Sequence, residues 1–325
     1  MKIAIFGYGN LGRGVEYAAR QNKDAELIGV FTRRNPRTVR TETGVPVYPA
    51  KEVFLFKEKI DVLISCCGSA VDLPETTPAL AEQFNVIDSF DTHAEIARHF
   101  EAVDRAAKKG KKTALISAGW DPGLFSLVRL YSAVSLPEGT TYTFWGKGVS
   151  QGHSDAIRQI SGVRDARQYT VPVPEALDAL RSGQTPAFTP RQMHRRECYV
   201  ATGPEADQTE IERQIKEMPH YFVDYDTTVT FVSEEELQKN HANLPHGGVV
   251  FRSGATGRQG EHRQTVEYRL HLDSNPEFTG SVLIAFARGV YRMHGRGDTG
   301  CKTVLDVAPA DLSPLSGEEL RKQVL

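Results

Sequence analysis

The sequence lacks the features that stabilise a secreted protein or anchor one in a membrane. Only four of its 325 residues are cysteines, and Cys66, Cys67, Cys198 and Cys301 have neither the spacing of a disulfide framework nor that of a zinc site. The longest apolar runs, such as Val282–Ala287, are far shorter than the ~20 residues that cross a bilayer. The amino-terminal residues also lack the pattern of a signal peptide. These absences predict a cytoplasmic protein with reduced thiols and no metal site.

An excess of charge of one sign is also missing. The 39 Lys and Arg residues nearly balance the 41 Asp and Glu residues, for a net charge of -2. The chain therefore has no basic field for nucleic acid or for an anionic membrane surface. With 40% hydrophobic and 25% charged residues the composition is typical of a soluble globular protein. We expect a small-molecule partner, and the length predicts two domains.

The first 120 residues alternate short apolar runs with helical patterns, as do the strands and crossover helices of a parallel sheet. This alternation predicts an α/β, Rossmann-like dinucleotide-binding domain over residues 1–120. The predicted strands are 3–6, 25–31, 62–65, 86–88 and 113–117, and the predicted helices are 50–56, 74–83 and 96–109.

Beyond residue 120 the pattern changes to alternating strands, which indicates a second α+β domain over 121–274 with a mostly antiparallel sheet. Residues 181–190 are rich in Pro, Gly and Gln and predict a loop. An apolar stripe from Phe278 to Val290 predicts a helix that returns to the first domain, so that residues 275–325 join it. The predicted strands are 141–145, 199–202, 227–231 and 265–272.

The clearest motif is a G-x-G-x-x-G turn that follows the first strand and opens a helix. In that context the three glycines allow a tight turn, close approach of a pyrophosphate and close helix packing. The free N–H groups of the helix amino terminus then favour phosphate. A purely structural turn is the alternative. The predicted cofactor-binding residues of this turn are Gly7, Tyr8, Gly9, Asn10, Leu11 and Gly12.

The residues that end the second strand indicate which nicotinamide cofactor binds. An acidic residue there would bind the ribose 2′-hydroxyl of NAD, whereas this chain has Thr32, Arg33 and Arg34. A hydroxyl and two guanidiniums suit a phosphate dianion, so the sequence favours NADP over NAD. The alternative interpretation is a solvated basic turn.

The third strand ends at Cys66, Cys67, Gly68 and Ser69, which we expect to line the cofactor crevice. A vicinal cysteine pair raises the alternative of a redox site. We interpret the two thiols instead as small, buried, reduced residues.

Two aspartates follow the fourth and fifth predicted strands. Asp91 ends the segment Ser89-Phe90-Asp91, and Asp121 lies in Ala118-Gly119-Trp120-Asp121-Pro122. Both loops should face the nicotinamide, so either carboxylate is a candidate for binding a substrate ammonium. The structural alternatives are a turn cap at Asp91 and an Asx turn at Asp121.

Candidate substrate residues of the second domain lie in glycine-rich or basic segments. Trp145, Gln151 and Gly152 belong to a segment that precedes a helix predicted to open near Ala156. His153 is a candidate general base, although a histidine at a helix start is more often a surface or capping residue. The pair Arg195-Arg196 suits a carboxylate, with a solvated face as the alternative.

Taken in order, these motifs resemble the meso-diaminopimelate dehydrogenase family over almost the full chain. The most specific strings are G-W-D-P-G at 119–123 and S-Q-G-H-S-D at 150–155. The resemblance implies NADP-dependent, reversible oxidative deamination of meso-2,6-diaminopimelate at its D-centre, giving L-2-amino-6-oxopimelate and ammonia, in diaminopimelate and lysine biosynthesis. It also implies a homodimer.

The resemblance further implies which residues bind the cofactor and the substrate. The cofactor contacts fall on Tyr8 to Leu11, Thr32 to Arg34, Cys66 to Ser69, Ser89 to Asp91 and Ala118 to Pro122. Because hydride can leave the α-carbon only when the amine is neutral, the reaction also requires a carboxylate that takes the ammonium proton, and we assign that catalytic role to Asp121 with Asp91. Arg195 is a rival of Arg196. The implied substrate contacts are Asp91, Asp121, Trp145, Gln151, Gly152, Thr170, Arg196, His246 and Asn275.

Two other functions remain as alternatives. One is another NADP-dependent oxidoreductase of the same fold, such as a homoserine dehydrogenase or a dihydrodipicolinate reductase. Those families look different at the site, because this chain has no paired-His segment followed by a Lys and an S-G-T-like turn. The other is a non-catalytic NADP(H)-binding regulator, which would not need Asp121, Trp145 and Gln151 together.

Overall fold

The computed structural model describes all 325 residues and divides them into two compact units. Unit 1 consists of Met1–Leu127 and Pro276–Leu325, and unit 2 of Val128–Asn275. None of the helices combines the length and the apolar character that a membrane span requires.

The chain forms fourteen strands and eleven α-helices. The strands are β1 (Lys2–Phe6), β2 (Glu26–Thr32), β3 (Val47–Pro49), β4 (Val62–Ser65), β5 (Val86–Asp88), β6 (Thr113–Leu115), β7 (Gly139–Trp145), β8 (Gly148–Val149), β9 (Val163–Pro172), β10 (His194–Thr202), β11 (Asp226–Phe231), β12 (His246–Thr256), β13 (His262–Leu272) and β14 (Gly300–Lys302). The helices are α1 (Asn10–Gln21), α2 (Leu73–Ala81), α3 (Ile96–Gly110), α4 (Leu124–Ser135), α5 (Gln151–Arg158), α6 (Pro174–Arg181), α7 (Pro190–Met193), α8 (Gln208–Glu217), α9 (Glu234–Asn240), α10 (Asn275–Gly295) and α11 (Gly317–Val324). Short 3₁₀ helices span Pro36–Thr38, Ala50–Phe56, His93–Glu95, Val304–Asp306 and Pro309–Leu312.

Unit 1 is built on a seven-stranded parallel sheet in the order β14-β6-β5-β4-β1-β2-β3. The chain moves outward from β1 to β3 on one side and then returns to β4 on the other side of β1. The carboxyl ends of β1 and β4 therefore flank a topological switch point, where open α/β sheets bind their ligands. This architecture confirms the predicted Rossmann-like fold.

Both faces of this sheet are covered, which explains why its strands read as continuous apolar runs. Alternate residues of β1 enter two different cores, because successive strand side chains point to opposite faces. Ile3 and Ile5 pack with residues of α1 and α10, such as Val15 and Phe286. Ala4 and Phe6 belong to the opposite core, which α3 helps to close with residues such as Val103.

Unit 2 contains two further sheets. The first has the order β11-β10-β9-β8, in which β10 pairs with β11 in parallel and the other pairs are antiparallel. The second, β13-β12-β7, is antiparallel throughout. This mostly antiparallel α+β organisation also agrees with the prediction from the sequence.

Several elements differ from the sequence-based expectations. Strands β3 and β14 have only three residues each and were not predicted. The segment 50–56 is a 3₁₀ helix rather than an α-helix. The strand predicted to reach Ser117 ends at Leu115, and Ser117 itself adopts a left-handed φ of 57°.

The helix expected to open near Ala156 begins five residues earlier, at Gln151. Its amino-terminal cap is Ser150, whose hydroxyl accepts a hydrogen bond from the backbone N–H of His153. A serine at this position satisfies an N–H group that the helix leaves unpaired. The early start places Gln151, Gly152 and His153 in the first turn of α5.

Candidate active site

The predicted dinucleotide turn lies between β1 and α1. Gly7 has a φ of +93°, a conformation that favours glycine. A Cβ on Gly12 would lie 2.5 Å from the carbonyl oxygen of Gly7, so the turn and α1 approach each other too closely for a side chain. A Cβ on Gly9 would meet no atom within 4 Å, so the outer side of the turn is open.

A buried hydrogen-bonded group fixes this turn from below. The hydroxyl of Tyr8 donates to the carboxylate of Glu16, a fully buried residue of α1. Glu16 also accepts a hydrogen bond from the backbone N–H of Thr43 at 2.6 Å. Burial by itself would raise the pKa of Glu16, but the hydrogen bonds from Thr43 and Tyr8 outweigh it and lower that pKa. The sequence analysis did not identify Glu16 or Thr43.

A cleft of about 250 Å³ opens at the switch point of the sheet. Its walls are the loops that follow β1, β2 and β4, which are the loops from which the sequence predicted cofactor contacts. The lining residues are Phe6, Gly7, Tyr8, Gly9, Phe31, Thr32, Arg33, Arg34, Cys66, Cys67, Gly68 and Asp72. An open glycine turn beside exposed guanidiniums fits a phosphorylated dinucleotide.

The two arginines of this cleft have different partners. Arg33 forms a bidentate ion pair with Asp72, at 2.7 and 2.8 Å. Asp72 also accepts the backbone N–H of Gly68 at 3.1 Å, so it connects the second and fourth strand loops. Arg34 donates to the backbone carbonyl of Tyr8. Both guanidiniums are exposed to solvent and are oriented at the cleft by these partners.

The environment of the two cysteines at the end of β4 favours unreactive, reduced thiols. Cys66 is buried and Cys67 is half-buried, and both are free. Burial raises the pKa of each thiol, which disfavours the reactive thiolate.

The two predicted catalytic carboxylates lie in loops after β5 and β6. The side chain of Asp91 is exposed, and its backbone N–H donates to the hydroxyl of Ser69 at 2.9 Å. Asp121 is half-buried and precedes Pro122 through a cis peptide bond. Both aspartates therefore sit at the carboxyl edge of the parallel sheet, the edge at which such sheets bind ligands.

In unit 2 a buried guanidinium is the feature that most requires a ligand. Arg196 of β10 is 7% exposed and lies opposite Thr170 of β9, to whose hydroxyl it donates. It packs over the ring of Tyr225 at 3.9 Å, its Nε has no hydrogen-bond partner, and no carboxylate pairs with it. A buried charge without a counter-ion is costly unless an anionic group compensates for it.

Its neighbour Arg195 is different. Arg195 lies on the other face of β10, is exposed and approaches Glu175 at 3.8 Å. Strand alternation therefore separates the two arginines, and only Arg196 lacks a carboxylate partner.

The indole of Trp145, at the end of β7, is stacked on a buried histidine. The ring of His194 lies 5.6 Å from that of Trp145, and its Nε2 accepts the backbone N–H of Trp145 at 2.9 Å. Burial, together with the charge of Arg196, lowers the pKa of His194 to about 4. His194 is therefore neutral near pH 7, as its role as an acceptor requires.

His153 is half-buried beside the Ser150 cap of α5. Its Nδ1 lies 2.7 Å from the hydroxyl of Ser150, and its ring packs edge-on against Tyr221 and Phe222. Burial and the charge of Arg196 lower its pKa to about 4. Gln151 and Gly152, which precede His153 in the same turn, are exposed.

The backbone brings the remaining candidates of unit 2 towards Thr170. Gly148 of β8 pairs with Thr170, and Trp145 pairs with Gly248 of β12. His246 begins β12, and its Nδ1 accepts the backbone N–H of Gly247 at 2.8 Å. The backbone N–H of Asn275 donates to the carbonyl of Leu244, two residues before His246.

Sequence reasoning missed Asp72, His194 and Tyr225, whose partners are distant in the chain. His194 had one usable signal, because His194, Arg196 and Cys198 alternate along one strand and therefore share a face. Nothing in the sequence places Tyr225 over Arg196.

Comparison with known proteins agrees with this geometry. Residues 119–274 match the model of the diaminopimelic acid dehydrogenase C-terminal domain. A meso-diaminopimelate D-dehydrogenase of Acetivibrio thermocellus is 55% identical over 100% of this chain and 98% of its own. The structure of C. glutamicum DAP dehydrogenase in complex with DAP has a TM-score of 0.93 and 43% identity, covering 100% of this chain and 99% of that one.

A second similar structure is an engineered D-amino acid dehydrogenase bound to NADP+. Its TM-score is 0.89 at 42% identity, covering 100% of this chain and 99% of that one. Identity of this level over the complete length shows more than a shared fold: the chain belongs to the meso-diaminopimelate D-dehydrogenase family.

Proposed function

We propose that this protein catalyses the reversible, NADP-dependent oxidative deamination of meso-2,6-diaminopimelate at its D-centre, giving L-2-amino-6-oxopimelate and ammonia. The observation that carries the proposal is the buried guanidinium of Arg196, which has no carboxylate partner and donates to Thr170. A substrate with a distal carboxylate would supply the missing anion. The names of the relatives, which include a structure in complex with DAP, support the same substrate.

We assign the cofactor to the switch-point cleft of unit 1. The open turn at Gly9 and the amino terminus of α1 would hold the pyrophosphate, and Arg33 and Arg34 would hold the 2′-phosphate. The NADP+ in a structure 42% identical to this chain supports that choice. The remaining proposed contacts are the loop residues Cys66 to Ser69, Ser89 to Asp91 and Ala118 to Pro122.

Replacing Arg34 by Ala should weaken NADP selectively. A charge-assisted bond to phosphate contributes about 1.5–3 kcal/mol, so we expect kcat/KM for NADP to fall by about tenfold to a hundredfold. The value for NAD, which lacks the 2′-phosphate, should change less than about twofold by the same argument. Steady-state kinetics with both cofactors measure this, and Arg37→Ala, an exposed arginine three residues downstream, is the matched control. An equal loss with both cofactors would contradict the assignment.

In the proposed chemistry, Asp121 and Asp91 act on the reacting amine. An ammonium has no lone pair, so hydride can leave the D-carbon only after the ammonium has lost a proton. A carboxylate that accepts the ammonium hydrogen bond and passes the proton to water meets that need. Bound NADP supplies the oxidised nicotinamide that accepts the hydride. The resulting carbon–nitrogen double bond is then hydrolysed to the ketone and ammonia.

We assign binding of the opposite end of the substrate, the L-centre, to unit 2. We assign its carboxylate to Arg196, Thr170 and His246, and its remaining polar groups to Asn275. Trp145, held by the stacked and hydrogen-bonded His194, would help to exclude water from the reacting centre, with Gln151 and Gly152 beside the substrate. Contacts with both ends of the substrate would make the enzyme selective for the length of the molecule.

We further propose that the functional division follows the chain as predicted, with cofactor binding in 1–120 joined by 275–325, and substrate binding and dimerisation in 121–274. Four free cysteines, of which Cys66, Cys198 and Cys301 are buried with raised thiol pKa values, support work in a reducing cytoplasm.

A homodimer through unit 2 is the proposed assembly. Leu130, Tyr131 and Val134 of α4 are 42%, 52% and 66% exposed, and an exposed apolar cluster of this kind is typical of a protein interface. Sedimentation should give twice the chain mass of 36.0 kDa. Val134→Lys should lower this mass to that of one chain, whereas Leu305→Lys, an exposed leucine of unit 1, should not. A monomeric wild-type protein would refute the proposal.

The direct test of the activity is the absorbance of reduced nicotinamide with purified protein, NADP and meso-2,6-diaminopimelate. The proposal predicts a rise in absorbance, and a fall when ammonia and L-2-amino-6-oxopimelate are supplied with NADPH. Tight NADPH binding without turnover in either direction would overturn it.

A further inference from the structure

The buried carboxylate of Asp88 lies between the two loops that carry Asp91 and Asp121. It is the last residue of β5 and is fully buried. Its Oδ1 accepts the backbone N–H groups of Phe90 at 3.1 Å and of Ser117 at 3.0 Å. One carboxylate oxygen thus holds the first residues of both loops.

The other oxygen of Asp88 is held by the helices that pack on this side of the sheet. Its Oδ2 accepts the hydroxyl of Thr77 from α2 at 2.7 Å and lies 2.8 Å from Nε2 of His99 in α3. Because a carboxylate only accepts, Nε2 of His99 carries the shared proton. Nδ1 of His99 is buried and has no partner, so the contact with Asp88 is the ring's one hydrogen bond.

Two further contacts extend this arrangement to the loops. The ring of His99 stacks on that of Phe90, with 4.2 Å between centroids. The backbone carbonyl of Asp88 accepts the N–H of Ala118 at 2.9 Å, next to Ser117 with its left-handed φ of 57°. The loop conformations are therefore fixed by side chains from α2, α3 and β5, none of which belongs to a loop.

We propose that Asp88, with Thr77 and His99, is a positioning cluster that sets the relative placement of the Asp91 and Asp121 loops for catalysis. The inference rests on the proposed function of those two aspartates. Asp88 does not contact the substrate in this account and is a positioning residue. It acts by holding two backbone segments at the carboxyl edge of the sheet, where a shift of about 1 Å in a reacting group can cost on the order of a hundredfold in rate.

The isosteric change Asp88→Asn tests the cluster most strongly. An amide has one acceptor oxygen, so its NH2 must face either the two backbone N–H groups or the Thr77 and His99 donors. We expect kcat to fall by about tenfold to a hundredfold. The KM for NADP should change less than about threefold, since the proposed phosphate contacts come from other loops.

Two milder variants at Thr77 keep the proposal testable if Asp88→Asn does not fold. Thr77→Val keeps the shape and removes one donor, and Thr77→Ser restores the hydroxyl. We expect kcat to fall by roughly threefold to tenfold in the first, as for the loss of one hydrogen bond, and to return to wild type in the second. Asp104→Asn is the matched control, because Asp104 of α3 accepts the backbone N–H of Cys301 in β14, outside both loops.

Amide hydrogen exchange supplies a readout that does not depend on activity. In Asp88→Asn and Thr77→Val, exchange should rise in segments 89–91 and 117–122. Asp104→Asn should lower the melting temperature without changing kcat or the exchange of those segments.

Two results would overturn the inference: loop exchange unchanged in Asp88→Asn, or a lowered melting temperature with kcat unchanged in both variants. If the wild-type protein did not turn over diaminopimelate, the proposed function and the catalytic role of the cluster would fail together. The exchange data would then still report whether Asp88 holds the two loops. An active wild type with kcat unaffected by either variant would refute the cluster alone.

Discussion

Asp121→Asn should lower kcat by about a hundredfold to a thousandfold near pH 7, within the range that a positioned acid or base contributes. Asparagine keeps the size of the side chain and one acceptor oxygen but cannot take a proton from the substrate ammonium. The Kd for NADPH should change less than about twofold, because the proposed phosphate contacts lie after β1 and β2. Steady-state kinetics and titration of NADPH fluorescence measure the two effects separately.

The pH dependence sharpens this prediction. Raising the pH populates the free amine of the substrate without help from the enzyme, so the deficit of Asp121→Asn should shrink as the pH approaches the pKa of the substrate ammonium. Asp178→Asn is a suitable control, because Asp178 is an exposed carboxylate of α6. Turnover close to wild type in Asp121→Asn at neutral pH would remove Asp121 from the mechanism.

Arg196→Met should change which substrates the enzyme accepts. Loss of one partner of a buried charge pair costs about 2–5 kcal/mol, so kcat/KM for meso-2,6-diaminopimelate should fall by about thirtyfold or more. D-2-aminoheptanoate has the same carbon chain without the distal amine and carboxylate. Its kcat/KM should rise, because an apolar methionine no longer requires an anion in the pocket.

The neighbouring arginine provides the control for this experiment. Arg195 lies on the opposite face of β10 and is exposed, so Arg195→Met should leave both substrates within about twofold of wild type. Arg196→Met should also fold at least as stably as wild type, since it removes a buried charge that has no counter-ion in the free protein. Equal losses in the two variants would mean that no specific carboxylate site exists at Arg196.

The fold of unit 1 was predictable because the sequence signals of its strands and helices lie within short, continuous segments. The apolar runs at β1, β4 and β5 are bounded by turn residues, and the amphipathic pattern of α3 extends over four turns. Strands β3 and β14 were not predicted because three residues are too few to show the alternating pattern of a strand. Their pairing with β2 and β6 is decided by tertiary contacts.

The start of α5 shows how one missed cap changes the interpretation of a site. Reading the helix from Ala156 made His153 a surface or capping residue. With Ser150 as the cap, His153 lies in the first turn and packs against Phe222. The serine was visible in the sequence, but the glycine that follows it two residues later obscured the helical pattern.

The candidate site was predictable only where a motif carries it. The glycine turn and the basic pair Arg33-Arg34 are short, contiguous signals. By contrast, Asp88 appears in the sequence as an ordinary strand end. Its hydrogen-bond donors are Thr77 and His99, each 11 residues away along the chain, and the backbone N–H of Ser117. Such a cluster exists only once α2 and α3 pack on the same face of the sheet, so no spacing rule reveals it.

We propose that the protein recognises both ends of a molecule with two opposite stereocentres. The most direct test of this proposal is the reduced-nicotinamide assay with NADP and, separately, the meso, L,L and D,D isomers of 2,6-diaminopimelate. We expect turnover with the meso isomer and at least about a hundredfold less with the other two, since each of them presents the wrong configuration to one end of the pocket. Equal turnover of the meso and D,D isomers would show that the distal L-centre is not recognised, and no turnover of any isomer would contradict the proposed activity.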